Sequence, residues 1–264
     1  MQKPTVASRL QVIHASFILQ AKERMVQDLF VFTLIFQPIL FTILTVGTYL
    51  FGGKPSFGVF AIVGAGMVGI WNNNLWSSGQ IVNHERNSGT LSLLIASPTS
   101  MLLILFGKSL ANAVTSVIAL GMTFATGTIV YHLSLGISNP LGFFFGLLLT
   151  VVALTFLGLV LGCLFVLTRN AGYVMNVANY PIYLFSGLAV PLTILPLWTR
   201  PFSYTLVTTW GNLVLNQTAG SLGGNLVVSF LWLIGLSVIY LCIALWLYKK
   251  VEFHAREAGN LEMF

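Results

Sequence analysis

Between Asp28 and Glu252 the chain carries a single carboxylate, Glu85. Only 7% of all residues are charged and 56% are hydrophobic, too few polar groups to clothe an ordinary soluble domain. The apolar sequence falls into six runs, 29–51, 57–82, 101–131, 141–167, 171–195 and 226–248. Each is long enough to cross a hydrocarbon core, which takes about 20 residues. Lipid offers no partner to backbone N–H and C=O groups, so runs of this length fold as helices. The expected fold is an all-α membrane protein, a single transmembrane domain over 1–264 with six transmembrane helices.

An even number of crossings puts both termini on one side, and the basic residues choose which. With the N-terminus inside, Lys3, Arg9, Lys22, Arg24, Arg86, Lys108, Arg169, Lys249, Lys250 and Arg256 are cytoplasmic, against Lys54 and Arg200 outside. Basic residues concentrate on the cytoplasmic side of membrane proteins. The net charge of +6 is thus a topology signal, spread over span ends with no patch for nucleic acid. Cys163 and Cys242 both fall in apolar runs and read as packed thiols. Charges throughout residues 1–28 leave no apolar core for a cleaved signal peptide. Val6, Leu10, Ile13 and Phe17 make a helical stripe over 6–17, expected to lie at the membrane surface as an interfacial helix within 1–28.

Two connections are unlike the short turns elsewhere. Residues 83–100 form a polar inner loop centred on Glu85-Arg86. Residues 196–225 are too apolar for a solvated loop and too broken, by Pro196, Pro201 and Ser221 to Gly224, for two full crossings. Two short re-entrant outer helices before the last span fit, packed on protein because non-spanning backbone at that depth must be. Residues 249–264 form a cytoplasmic tail.

Secondary transporters driven by ion gradients use ionisable groups inside the membrane, and no Asp or Glu falls within any of the six runs. His132 lies at an outer end. The main polar feature within a span is Asn72, Asn73 and Asn74, flanked by Trp71 and Trp76 and about 16 Å from the inner end of their helix. They read either as lining of a translocation path or as hydrogen bonds that glue helices together. The pairs Gly142/Gly146 and Gly158/Gly162 are small-residue spacings suited to close helix packing. Pro38, Pro181 and Pro191 would kink or break their spans.

Enzyme motifs fail on inspection. Gly107-Lys108-Ser109 ends like a phosphate loop, yet Leu102 stands where its first glycine belongs. His84-Glu85 begins like a zinc helix, with Ser88 in place of the second histidine. No G-x-S-x-G elbow occurs. Asn216-Gln217-Thr218 is a glycosylation sequon. The sequence holds no catalytic constellation and no metal site.

The layout resembles the ABC type-2 permeases, membrane subunits of ATP-binding-cassette exporters. Glu85-Arg86 with Gly89-Thr90-Leu91, Leu94 and Ser97-Pro98 looks like that family's E-R-x-x-G-T-L-x-x-L-x-x-S-P pattern after the second span. Ser186-Gly187 with Pro191, Leu195, Pro196 and Trp198 resembles its S-G…P…L-P-x-W run in the fifth. The interfacial helix, six spans and broken outer segment match as well. Ser92 departs from the pattern, since many members carry a second acidic residue there.

The resemblance implies a function. A separate ATPase subunit, holding ATP and Mg, docks on the cytoplasmic face; this chain carries no cofactor. Two permease copies pair as a homodimer in the bacterial inner membrane. The 83–100 loop is the coupling helix, with His84, Glu85, Arg86, Gly89, Thr90, Leu91, Leu94, Ser97 and Pro98 at the contact. Trp71, Asn72, Asn73, Asn74 and Trp76 line the path; Ser186, Gly187, Pro191, Pro196 and Trp198 form an outer gate. The aromatic, apolar spans favour a hydrophobic or amphipathic small cargo such as a drug, an antibiotic or a lipid-like metabolite. Export of a lipid-linked polysaccharide or lipo-oligosaccharide, or a pore or scaffold without ATP drive, are the alternatives.

Overall fold

A computed structural model describes residues 6–26, 32–53, 55–75, 81, 84–85, 88–90, 101–133, 136–166 and 171–258, and the regular structure among them is helical. The N-terminal helix α1 spans Val6–Val26, running well beyond the 6–17 stripe. A π-helical turn at Phe32–Phe36 leads into α2, Gln37–Phe51, and α3 follows at Gly58–Asn73. Then come α4 at Met101–Tyr131, α5 at Pro140–Val166 and α6 at Ala171–Phe185. Two short helices, α7 at Arg200–Thr205 and α8 at Val207–Thr218, precede α9 at Leu226–Ala258.

Among the described residues, four segments are long and apolar enough to cross a membrane: Leu34–Phe51, Leu103–Tyr131, Pro140–Leu164 and Leu226–Lys250. The second and fifth apolar runs are shorter helices among the described residues. The α-helical ladder of α3 stops after Asn73, where Asn74 and Leu75 take π geometry. α6 stops at Phe185 because the chain bends at Ser186-Gly187, with Gly187 at φ +74°. Pro38 does not end its span: it sits where the π-helical turn gives way to the first turn of α2, and the helix runs on to Phe51.

The short α3 is the centre of the bundle, buried at nearly every position from Gly58 to Asn72. It packs against α2, α4 and α8; α1 lies along α4, and α9 along α5. Closeness is set by missing side chains. A Cβ on Gly64 would stand 2.2 Å from the Leu188 carbonyl oxygen, and one on Gly146 would stand 2.6 Å from Val214 Cγ1, where α5 meets α8. α8 is also buried along almost its whole length, which suits a helix of 12 residues enclosed by protein. Trp210 in its first turn stacks on Trp232 of α9, rings 5.4 Å apart and 10° from parallel. The cysteines are both free, Cys163 buried as expected and Cys242 exposed.

Candidate functional site

Two groups of predicted residues lie at opposite ends of the bundle. At the α1 end, the backbone around Glu85 is a helical turn that closes on itself. The Ser88 N–H donates to the His84 carbonyl at 2.9 Å, and the Thr90 N–H donates to the Glu85 carbonyl at 3.0 Å. Gly89 between them has φ +69°. A six-to-one backbone bond around a left-handed glycine is the ordinary way to stop a helix. The spacing from Glu to Gly-Thr therefore has a local cause. Thr90 adds a side-chain bond, its hydroxyl donating to Glu85 Oε2.

The other carboxylate oxygen of Glu85 accepts from Lys108 Nζ on α4. The same ammonium reaches Glu23 on α1, at 3.0 Å to Oε2 and 3.3 Å to Oε1. Lys108 is 2% exposed, the Glu85 side chain 7% and that of Glu23 32%. Burying an ammonium costs several kcal/mol unless counter-charges are built around it, and here three donors meet two carboxylates. Glu85 is thus turned inward, both oxygens occupied within the chain, while His84, Ser88 and Gly89 are the exposed members of the turn. Arg86, Leu91, Leu94, Ser97 and Pro98 lie outside the described residues, as does Trp76.

A second polar layer adjoins the triad. Arg24 donates through Nη2 to Asn73 Oδ1. The Asn73 amide donates to the Asn112 carbonyl at 2.9 Å and reaches Thr115 Oγ1 at 2.8 Å and Ser116 Oγ at 2.7 Å. Gln20 Nε2 donates to Asn112 Oδ1 at 3.4 Å. Burial holds the Arg24 guanidinium below its ordinary pKa. On another side of α3, the Trp71 indole donates to Asn179 Oδ1 at 2.7 Å. Asn179 Nδ2 in turn approaches Asn72 Oδ1 at 3.5 Å, joining α3 to α6. Trp71, Asn72 and Asn73 thus take part in interhelical bonding, and Asn74 keeps a buried Oδ1 without a partner.

At the far end, three successive carbonyls of the bend after α6 meet three different helices. Asn212 of α8 donates to Gly187 O at 2.8 Å, Gly64 of α3 lies against Leu188 O, and Tyr49 of α2 donates to Ala189 O at 2.7 Å. Ser186, Gly187, Leu188 and Pro191 are buried, whereas Pro196 and Trp198 are exposed. Trp198 packs edge-on against Phe185, centroids 6.1 Å apart. Beside the bend an apolar groove of about 590 Å³ opens between α2 and Ala189-Val190, lined by Phe41, Leu44 and Tyr49 with Thr45 and Thr48.

Sequence reasoning missed three of these residues. Lys108 enters the sequence reading as a topology charge and as part of a failed phosphate loop, although a lone lysine seven residues into an apolar helix is itself a signal. Asn212 and Asn216 sat in a segment read for its breaks. Asn216 is fully buried, bonds Asn212 through its amide and accepts from Ser221 at 2.6 Å, so the sequon is closed to modification in the folded chain. Among the described residues no group of three or more His, Cys, Asp or Glu is placed to hold a metal.

Apolar helices of membrane-crossing length around a buried central helix make this a multi-pass membrane protein. The family model for the ABC-2 type transporter matches residues 14–218, and the chain belongs to that family. No curated protein matches it significantly.

Proposed function

We propose that the chain is the permease subunit of an ATP-driven exporter, working as a pair of copies over two separate ATPase subunits in the bacterial inner membrane. The observation that carries this is the turn at Glu85. Its carboxylate is committed to Lys108 and Thr90, while His84, Ser88 and Gly89 face outward, which suits a rigid knob for a partner to push. The absence of Asp and Glu from the six apolar runs supports an external energy source.

We place both termini and this turn in the cytoplasm, following the ten basic residues against two, and count six crossings, the shorter α3 and α6 among them. Residues 84–98 then act as the coupling helix, α7 and α8 as outer re-entrant helices, and Ser186 to Trp198 as the outer gate. The path runs on the α3–α6 side, where Trp71 and Asn72 meet Asn179. α6 turns Tyr173, Val177, Tyr180 and Leu184 away from the chain, the face we assign to the second copy.

Closure of the nucleotide-loaded ATPase pair pushes the turn, rearranges the cavity and releases cargo outward. The cargo is a hydrophobic or amphipathic small molecule: the groove beside Ala189 has the size and apolar lining of a small-molecule site.

A tagged chain should bring down an ATP-binding-cassette ATPase from its native membrane, and inverted vesicles holding both should accumulate a lipophilic cationic dye only with ATP and Mg. Dye movement at the same rate without ATP would show a pore and overturn the reading.

A further inference from the structure

We propose that Lys108 is the joint that fastens the Glu85 turn to α1 and α4, so that a push on the turn is delivered to those two helices together. This rests on the reading of residues 84–98 as the coupling element.

The obvious route for such a push is α3, the helix that leads into the turn. That helix is not a stiff rod: its α-helical hydrogen-bond ladder gives way to π geometry at Asn74 and Leu75, between the buried core and Glu85. Bulges of this kind are where helices bend. Lys108 offers a direct route, because one ammonium holds Glu85 from the turn and Glu23 from α1 while its own backbone belongs to α4.

Beyond the joint, α1 and α4 are already one body. Gly107 lets the α1 backbone come so close that a Cβ there would stand 2.5 Å from the Ile13 carbonyl oxygen and 2.9 Å from Ser16 Cβ. Gln20 to Asn112 adds a polar tie between the two helices further along α1, and Arg24 reaches α4 only indirectly, through Asn73 of α3. The two arms of the joint differ. The Glu85 arm is buried, where the attraction is strongest, while the Glu23 arm is about one-third exposed and softened by water. Lys108 is a positioning residue, touching neither cargo nor nucleotide.

The test is a pulsed electron-resonance distance measurement on the full chain in nanodiscs, without nucleotide or ATPase. Spin labels go on Ser88→Cys with His14→Cys, and separately on His14→Cys with Val114→Cys, all exposed positions, with Cys163→Ala and Cys242→Ser. Wild type and Lys108→Arg should give narrow distributions for both pairs. Lys108→Met, and the double variant Glu85→Gln with Lys108→Met that leaves no unpaired charge at Glu85, should widen the Ser88–His14 distribution about twofold and leave His14–Val114 narrow. An unchanged Ser88–His14 width, or equal widening of both pairs, would overturn the proposal. The measurement involves no transport, so its failure is distinct from failure of the exporter reading.

Discussion

Asn212 gives its amide to the Gly187 carbonyl at 2.8 Å, so a helix 12 residues long holds the bend that ends α6. Both residues are buried, and water cannot replace either partner. Asn212→Leu should cost about 1–3 kcal/mol, the range for leaving a buried polar group unpaired. Denaturant unfolding in mixed micelles, followed by tryptophan fluorescence, checks it; a loss within a few tenths would show that the bend is held by other means.

The contact of Gly64 with Leu188 predicts a contrast between two glycines on one helix. At Gly64 an added methyl meets a backbone oxygen at 2.2 Å, whereas at Gly69 nothing lies within 4 Å. Gly64→Ala should destabilise the chain by about 1–3 kcal/mol through overpacking. Gly69→Ala should be neutral or slightly stabilising, since alanine is the better helix former. Equal effects at the two sites would contradict the packing described.

For Gly89 the backbone decides. At φ +69° a branched residue such as leucine is strained by about 1–2 kcal/mol, while asparagine tolerates the conformation. Gly89→Leu and Glu85→Ala should each insert normally yet hydrolyse ATP with little cargo moved, and Gly89→Asn should keep most of its coupling. The ratio of dye accumulated to phosphate released is the measurement. Wild-type ratios in both disruptive variants would remove the turn from the mechanism.

The two arms of Lys108 should respond unequally. Glu85→Gln, at a side chain 7% exposed, should cost about 3 kcal/mol or more, whereas Glu23→Gln, at 32%, should cost about 1 kcal/mol. Added salt should shrink the second effect and leave the first, because solvent ions screen only the wetted arm. Unfolding at low and high salt separates them; the reverse order would mean that burial does not rank these bonds.

How much of this was legible beforehand follows from what sets each feature. Apolar runs are dictated by the solvent, so the all-helical membrane class stood out in the sequence. The Glu85 to Thr90 turn was readable too, because its bonds are local and glycine marks where the helix ends. Lys108 was not: its partners lie 85 and 23 residues away, and only packing brings α1, α3 and α4 together. The lengths of α3 and α6 were hidden for a related reason. Hydropathy records whether a residue tolerates lipid and is blind to the π geometry at Asn74 or the bend at Gly187. α1 outran its stripe because Glu23, Gln20 and Arg24, polar on paper, face protein across α4 and α3.

The bend at Gly187 to Ala189 touches α8, α3 and α2 through consecutive carbonyls, and this has a statistical consequence. An excursion of the bend must undo all three contacts in one event, so their free energies add and the odds of opening multiply. One weakened contact, as in Tyr49→Phe, raises those odds by a modest factor. Two weakened together raise them by the product. The segment behaves as a logical conjunction, tight at rest and yielding steeply once a concerted motion of the three helices relaxes every condition at once.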